Sequence, residues 1–481
     1  MPKLDDLLKV VKENNKKADL DLIRLAYDFA EEAHKGQKRL SGEPYIIHPL
    51  HTAITLAEMK ADHATIIAGL LHDVPEDTDY SLVDVEKNFG QEITGLVTGI
   101  TKLGKIKYRG IERYSENLRK MFISMAQDFR TVLIKMADRL HNLKTLDVLP
   151  KEKAFRIALE TLEIYAPIAN RLGMGHMKGE LEDYSFPYVY PKEYEWMQQN
   201  IIPRFKPKIE YIDRVIKQVK KELERHSIKI DSIHGRQKRL YSLYQKLQRP
   251  QYEKDLSKIY DLVAVRIIAK DTDDCYKVLG VIHNQFKPMP GRIKDYIAQP
   301  KPNHYQSIHT TVFGPDNEIV EFQIRTSDMH EEAEYGIAAH WQHKELSLRG
   351  KGYTVPKKLK WVIELVNWQK EIRSATDFLK SVKKFEAFAT RIFVFTPNGD
   401  VIDMPEGATP VDFAFHIHTE VGNKCAGSKI NGEIANLGTP LKNGDVVEII
   451  IDKNRKGPSR DWLKFAKTNM ARYKIRTGAL K

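Results

Sequence analysis

Apolar residues recur at intervals of three and four in Leu20–His34, Thr52–Glu58, Ala64–His72 and Thr131–Leu146. That period marks one face of an α-helix, and no alternating strand interrupts it between Leu20 and Ala169. The pattern predicts an all-α domain closing near the proline-bearing stretch Phe186–Pro191, then a helix from Pro203 to His226. Beyond it the period drops to two. Ile259–Ala269, Tyr305–Phe313 and Ile319–Thr326 are β-branched and alternating, with loops at Pro288–Gly291, Pro300–Asn303 and Gly314–Asn317. A helical connector precedes a β-rich module that opens with a hairpin, Ile392–Thr396 and Val401–Met404 around an Asn398-Gly399 turn. A short helix is expected near Val411–His416. The chain therefore divides into an all-α domain (1–199), an α+β domain (200–345), the connector (346–390), the β-rich module (391–452) and a basic tail (453–481).

Composition changes this picture little. With 42% hydrophobic and 30% charged residues, the 481-residue chain fits an ordinary water-soluble protein of several domains. No apolar run approaches the ~20 residues of a membrane span, and Met1–Lys17 is charged throughout, so no membrane association is expected. Cys275 and Cys425 stand alone, without CxxC context, which argues against a disulfide framework or zinc site and for a reducing cytoplasm. Lys plus Arg exceed Asp plus Glu by 77 − 65 = 12. The tail carries ten Lys/Arg against the single acid Asp461, and reads as a solvated helix or a surface facing nucleic acid.

Two polar constellations suggest chemistry. In the helical domain, His48, the pair His72-Asp73 and Asp138 form a mixed imidazole and carboxylate set from separate helices. Such a set suits a divalent ion such as Mn²⁺ with positions left for water and substrate. Glu76 and Asp77 lie one helical turn beyond His72 and Asp73, where they could orient the attacking water. In the α+β domain, Arg236, Lys238, Ser242 and Lys246 follow a helical spacing. Asp261 and Arg266 sit on one expected strand, and Glu321, Gln323 and Arg325 share one face of another. Cations at Lys294 and Lys301, with His309, join them, and a phosphoryl-transfer site needs such charge plus carboxylate-held Mg²⁺. No Walker loop is present, so side chains must grip the phosphates. The residues alone leave open that these are polar groups on exposed helix and strand faces.

The series His48, His72-Asp73, Asp138 resembles the HD phosphohydrolase superfamily. Together with Arg39-Leu-Ser-Gly-Glu-Pro-Tyr45, Glu76-Asp77-Thr78 and Ala137-Asp-Arg-Leu-His-Asn142, it resembles the hydrolase domain of long RelA/SpoT homologues. The resemblance implies that His48, His72, Asp73 and Asp138 ligate Mn²⁺, and that Glu76 and Asp77 activate water to remove a 3′-pyrophosphate. Arg39, Asn142 and Thr145 would hold the guanosine nucleotide. Pro75 departs from the family's usual aliphatic residue, and inside a helix it would re-aim Glu76 and Asp77.

The stretches Tyr260-Asp-Leu262, Lys294-Asp-Tyr-Ile-Ala298, Tyr305-Gln-Ser307 and Glu321 to Thr326 resemble the nucleotidyltransferase-like synthetase domain of the same family. The resemblance implies transfer of pyrophosphate from ATP to the 3′-hydroxyl of GDP or GTP, giving ppGpp or pppGpp and AMP. Asp261 and Glu321 would hold Mg²⁺, with Glu321 also drawing the ribose proton. Arg236 and Arg266 would sandwich adenine, and Tyr305 would stack on guanine. Lys238, Ser242, Lys246, Lys294, Lys301, His309 and Arg325 would line the phosphates, with Asn303, Gln306 and Gln323 completing the nucleotide site. Arg292-Ile-Lys-Asp295 matches the basic variant of bifunctional members, and His304 stands where the family usually has glycine.

Arg391–Asp452 resembles a TGS domain, a small β-grasp module, in which His416 would touch the 3′ end of uncharged tRNA on the ribosome. The family usually continues into further helical, zinc-finger-like and ACT domains, whereas the sequence stops at Lys481, so the resemblance is to a member lacking the domains beyond TGS. The implied function is a bifunctional enzyme that makes and hydrolyses (p)ppGpp. The alternatives are a hydrolase whose synthetase domain is retained as a sensor, and a non-catalytic ribosome- or tRNA-binding regulator.

Overall fold

The computed structural model describes residues 2–15, 18–104, 110–248, 259, 262–301, 303–338, 391–397, 401–442, 444–455 and 457–478. They fall into two compact units, Met1–Glu371 and Ile372–Lys481. The connector at 346–390, the Asn398-Gly399 turn and Asp261 lie outside the described residues.

The first unit begins with helices, as the three-to-four period predicts: α1 (Leu4–Asn14), α2 (Leu20–Ala33), α3 (Ile47–Glu58), α4 (His63–Leu71), α5 (Val74–Asp77), α6 (Leu82–Gly104), α7 (Gly110–Gln127), α8 (Arg130–Lys144), α9 (Lys151–Glu160) and α10 (Ala166–Arg171). The Asp19 and Asp62 side chains cap α2 and α4 by accepting from the Leu22 and Thr65 amides. Helix α4 is apolar all round, and every residue from Ala64 to Leu71 is buried. Gly69 lets α3 approach it, since a Cβ there would lie 2.6 Å from Leu56. The central helix thus ends, deep in the bundle, directly against His72 and Asp73.

Helices α11 (Gly175–Val189), α12 (Pro191–Asn200) and α13 (Ile202–Arg225) lead into a mixed sheet. The expected closure of the helical domain at Phe186–Pro191 is not where the core divides. Helix α11 runs through Pro187, and Phe186, Met197 and Ile201 share one core with sheet residues such as Val265, Phe322 and Ile324.

The sheet comprises β1 (Ile230–Gln237), β2 (Val263–Ala269), β3 (Lys287–Asp295), β4 (Ile308–Phe313) and β5 (Ile319–Thr326), with α14 (Leu240–Leu247), α15 (Thr272–Gln285) and α16 (Ser327–Tyr335) interspersed. Its order is β1-β2-β5-β4-β3. Only the β2–β5 pair is parallel among the described strands.

Two strands differ from expectation. Arg236 does not continue a helical face toward Lys246: it lies on β1, opposite Ala264, and the helix bearing Ser242 and Lys246 starts at Leu240. The segment Pro288–Gly291, expected as a loop, belongs to edge strand β3, whose register shifts between Pro288 and Ile293. An edge tolerates prolines because one side of it needs no ladder donors.

The second unit holds a β6 (Arg391–Phe395) and β7 (Val401–Pro405) hairpin, α17 (Pro410–Ile417), α18 (Thr419–Asn423), β8 (Cys425–Ile430), β9 (Glu433–Ala435), β10 (Val447–Ile451) and α19 (Asn469–Gly478). A parallel bridge from Phe395 to Val446 joins the hairpin to the three-stranded β10-β8-β9 sheet. The basic tail, expected as a solvated helix or a surface facing nucleic acid, also has an apolar side. Trp462, Ala466, Ala471 and Ile475 are buried against Val411, Ala414, Phe415 and Cys425.

The Asp412 carboxylate fixes this arrangement. It accepts the Thr409 amide at 2.9 Å, the Lys467 amide at 3.0 Å and the Thr468 amide at 2.7 Å. Asp412→Ala strands buried donors, so it should cost the second unit about 3 kcal/mol. Amide hydrogen exchange would report this as faster exchange across residues 410–478, with the first unit unchanged.

Candidate active sites

A break in the backbone builds the first site. Between α4 and α5, His72 and Asp73 keep near-helical dihedrals without continuing the helix, and Pro75 falls in the first turn of α5. Proline costs nothing there, because first-turn amides have no intrahelical acceptor. The feared kink is therefore a helix restart. Asp77 is held by Tyr45, whose hydroxyl donates to Asp77 Oδ2 at 2.6 Å and Asp73 Oδ2 at 3.0 Å. Glu76 and Asp77 are both exposed.

His48, from α3, His72 and Asp138, from α8, are buried, with donor atoms all within 4.8 Å of one another. Asp73 joins them: His48 Nε2 lies 3.2 Å from Asp138 Oδ1 and 3.5 Å from Asp73 Oδ2, and His72 Nε2 lies 3.2 Å from Asp73 Oδ1.

The hydrogen bonds fix the tautomers. His72 Nδ1 faces the Gly69 carbonyl at 2.8 Å and must donate to it, so Nε2 carries the lone pair. Arg39 Nη1 can only donate, so His141 Nδ1 accepts from it at 2.9 Å. The same atom accepts from His48 Nδ1 at 2.8 Å, which turns the His48 lone pair inward. Burial, then the neighbouring imidazoles and Arg39, depress His141 to about 2, so it stays neutral. Burial likewise lowers His48.

Burial opposes ionisation of Asp138, but Lys135 and His48 hold it well below the usual carboxylate range; Lys135 lies 2.5 Å away. Two imidazole lone pairs facing two carboxylates repel one another unless a cation lies between them. Among the described residues, buried His72 Nε2 has no hydrogen-bond partner. The donor set fits a divalent metal.

Beside it opens a cavity of about 580 Å³, lined by Arg39, Asn142, Thr145, Arg139, Lys153 and Arg156 among others. Arg39 Nη2 donates to Asn142 Oδ1 at 2.8 Å, and Asn142 donates to Asp138, so the expected nucleotide residues are tied to the buried carboxylate of that cluster. A π-helical turn at Thr161–Tyr165 brings Tyr165 under Arg139, 4.5 Å from ring centre to guanidinium.

The second site lies on one face of the sheet. Register aligns Lys294, His309, Gln323, Arg266 and His234 as a single row across all five strands. The next row brings Glu321 of β5 level with Thr311 of β4, and Arg236 of β1 level with Ala264 of β2. Val320, Phe322 and Ile324 fill the opposite, buried face, as the alternation predicts.

Along the polar face Arg236 donates to Gln323 at 3.3 Å, Gln323 Nε2 donates to Glu321 at 2.9 Å, and His309 Nδ1 lies 3.5 Å from Glu321. Tyr305 contacts His309 Nε2 through its hydroxyl at 2.7 Å. Lys301 sits 4.7 Å from the Tyr305 ring centre; burial, with Lys294 close by, lowers its ammonium to about 8.

Arg325 is fully buried, and its guanidinium is engaged by Glu334 and His330. Asn303 donates to the Asn170 carbonyl at 3.3 Å, and Gln306 to that of Ile297 at 3.1 Å. Lys238, Ser242 and Lys246 are half-buried. His304 has φ +62°, the left-handed conformation that makes glycine the usual residue in such a loop. In the second unit, His416 is exposed in the last turn of α17.

Both constellations fall within regions that match known families. Residues 26–175 match the HD domain, 235–347 the region found in RelA / SpoT proteins, and 392–451 the TGS domain. The chain is 47% identical to the GTP pyrophosphokinase of Myxococcus xanthus over 95% of its length and 60% of the relative's. It is 49% identical to the guanosine-3′,5′-bis(diphosphate) 3′-pyrophosphohydrolase of Aquifex aeolicus over 94% of its length and 64% of the relative's. It is 45% identical to the bifunctional (p)ppGpp synthase/hydrolase RelA of Mycobacterium tuberculosis, over 99% and 64%. Over residues 235–347 the chain carries the region found in RelA / SpoT proteins, and it is similar to these relatives along nearly its whole length. It spans 60–64% of the length of these three relatives.

The residues of these two clusters that the sequence reading missed are those that hold others. Tyr45, Lys135 and His141 orient the metal-binding group. Tyr296 lies 5.3 Å from His309, and Glu334 joins two arginines. Among the described residues, no helix is long and apolar enough to cross a membrane.

Proposed function

We propose that this chain is a bifunctional alarmone enzyme: it transfers pyrophosphate from ATP to the 3′-hydroxyl of GDP or GTP, and removes the 3′-pyrophosphate of the product. The alignment of Lys294, His309, Gln323 and Arg266 across five strands, with Glu321 one step away, carries the synthetase reading. The paired lone pairs of His48 and His72 against two acids carry the hydrolase reading.

In the synthetase, Glu321 accepts the proton of the ribose hydroxyl, helped into place by Gln323 at 2.9 Å. Arg236 and Arg266 hold adenine, Tyr305 holds guanine, and Lys238, Lys294 and Lys301 meet the phosphate charge. Glu321 and Asp261 are the Mg²⁺ ligands, carboxylate oxygen being the chemistry that ion takes.

In the hydrolase, His48, His72, Asp73 and Asp138 hold Mn²⁺, which when bound polarises a phosphoryl oxygen and acidifies water. Asp77, anchored by Tyr45, and Glu76 orient the water. Arg39, Asn142 and Thr145 seat the guanosine nucleotide in the cavity. The family's tRNA and ribosome contacts would fall to His416 and the second unit, and the compartment is the cytoplasm. The division at 199, 345, 390 and 452 remains our assignment of these roles to domains.

The test is to incubate the purified chain with ATP, GDP and Mg²⁺, and separately ppGpp with Mn²⁺, and resolve nucleotides by chromatography. Product in both arms is expected. Hydrolysis without synthesis would instead favour a sensor role for the synthetase domain, and turnover in neither would overturn the proposal.

A further inference from the structure

Arg266 and Arg325 occupy adjacent parallel strands on the polar face, and both are buried, at 5% and 0% exposure. Such guanidiniums lose their water and repel each other. One carboxylate answers both: Glu334 Oε1 accepts from Arg266 Nη1 at 2.9 Å and from Arg325 Nη2 at 3.1 Å. Arg325 Nη2 also donates to His330 Nδ1 at 2.6 Å. Burial opposes the charge on Glu334, but the two arginines bring its carboxyl down to about 2.

The pair keeps capacity for a ligand. Among the described residues Arg266 Nε and Arg325 Nε have no hydrogen-bond partner, and one carboxylate leaves two cations with a net positive charge.

Glu334 can do this because α16 is fixed from its other side. Lys60, between α3 and α4, pairs with Glu331 at 2.6 Å. The helix ends at Gly336 with φ +59°, where a Cβ would lie 2.2 Å from the Leu172 carbonyl, and the Ile337 amide donates to that carbonyl at 3.1 Å. The helical domain therefore clamps α16 against the sheet.

We propose that Glu334 is a positioning residue of the synthetase site, holding Arg266 and Arg325 in the orientation that receives the purine triphosphate donor. This rests on the synthetase reading above, in which Arg266 faces the donor's base. Glu334 touches no reacting atom. Its removal should weaken donor binding and spare both acceptor binding and the chemical step.

The experiment compares Glu334→Gln with the unaltered chain in steady-state synthesis, and by calorimetric titration with a non-hydrolysable ATP analogue. The expected result is a KM for ATP and a Kd for the analogue each raised about tenfold, the weight of one charge-assisted hydrogen bond. KM for GDP, kcat and ppGpp hydrolysis should stay within about twofold, since a single lost contact distant from the reacting atoms acts on binding. Glu334→Asp, which keeps the charge but shortens the reach, should fall between.

In an Arg266→Ala background, Glu334→Gln should raise the Kd for the analogue much less than it does alone. Unchanged ATP KM and analogue affinity would overturn the proposal. So would equal losses in synthesis and hydrolysis, the sign of a merely structural role. If the unaltered chain binds the analogue yet forms no product, the synthetase reading fails while the titration still decides the role of Glu334.

Discussion

Glu321→Gln is expected to cut pyrophosphoryl transfer by at least about a thousandfold, within the range a general base supplies. The substitution changes one atom and no shape. Gln323 can still donate to the remaining oxygen, and the buried face of β5, with Val320, Phe322 and Ile324, is untouched. What disappears is the basic oxygen, and with it a negative charge amid Arg236, Lys294 and Lys301. Release of AMP from ATP and GDP measures the loss. Hydrolysis of ppGpp by the same preparation should be preserved, because the metal-binding group lies among α3, α4 and α8, on different elements. Residual synthesis within tenfold of the unaltered chain would remove Glu321 from the role of base.

The reach of the sequence followed the strength of each local pattern. Alternation along Ile319–Thr326 put Glu321, Gln323 and Arg325 on one side, and the strand has them there. Strand β1 escaped because Asp231, Ser232, His234 and Gly235 carry almost no apolar alternation; only Ile233 is buried. An edge strand with one buried residue looks like a loop until its partner is known, and Arg236 was misplaced onto a helix with it. Strand β3 was hidden by its prolines for the same reason.

The basic tail misled in the opposite direction. Its charges dominate the composition, yet four apolar residues decide where it goes. Glu334 was invisible because Ser327–Tyr335 reads as an ordinary polar surface helix. Its role exists only once α16 folds back over two arginines from different strands. The His72-Asp73 pair was legible as chemistry. The helix restart that makes Pro75 harmless was not, since it depends on how α4 ends within the bundle.

His72→Ala is expected to abolish hydrolysis of ppGpp and to weaken Mn²⁺ binding by more than about a hundredfold, beyond what loss of an outer hydrogen-bonding partner costs. The imidazole contributes a buried Nε2 with no hydrogen-bond partner among the described residues, and Asp73 Oδ1, 3.2 Å from it, loses its companion ligand atom. Stability separates this from simple unfolding. A metal that binds only the folded chain at a hundred times its Kd adds about 2.7 kcal/mol, and so raises the melting temperature of the unaltered protein. In His72→Ala that rise should vanish at the same Mn²⁺ concentration. The metal-free chain should melt close to the unaltered one, because the lost packing is offset by relief of a lone pair held against a carboxylate. Synthesis of ppGpp by the variant should persist. A variant that still gains stability from Mn²⁺ and still hydrolyses ppGpp would sink the assignment of this buried group as the metal centre.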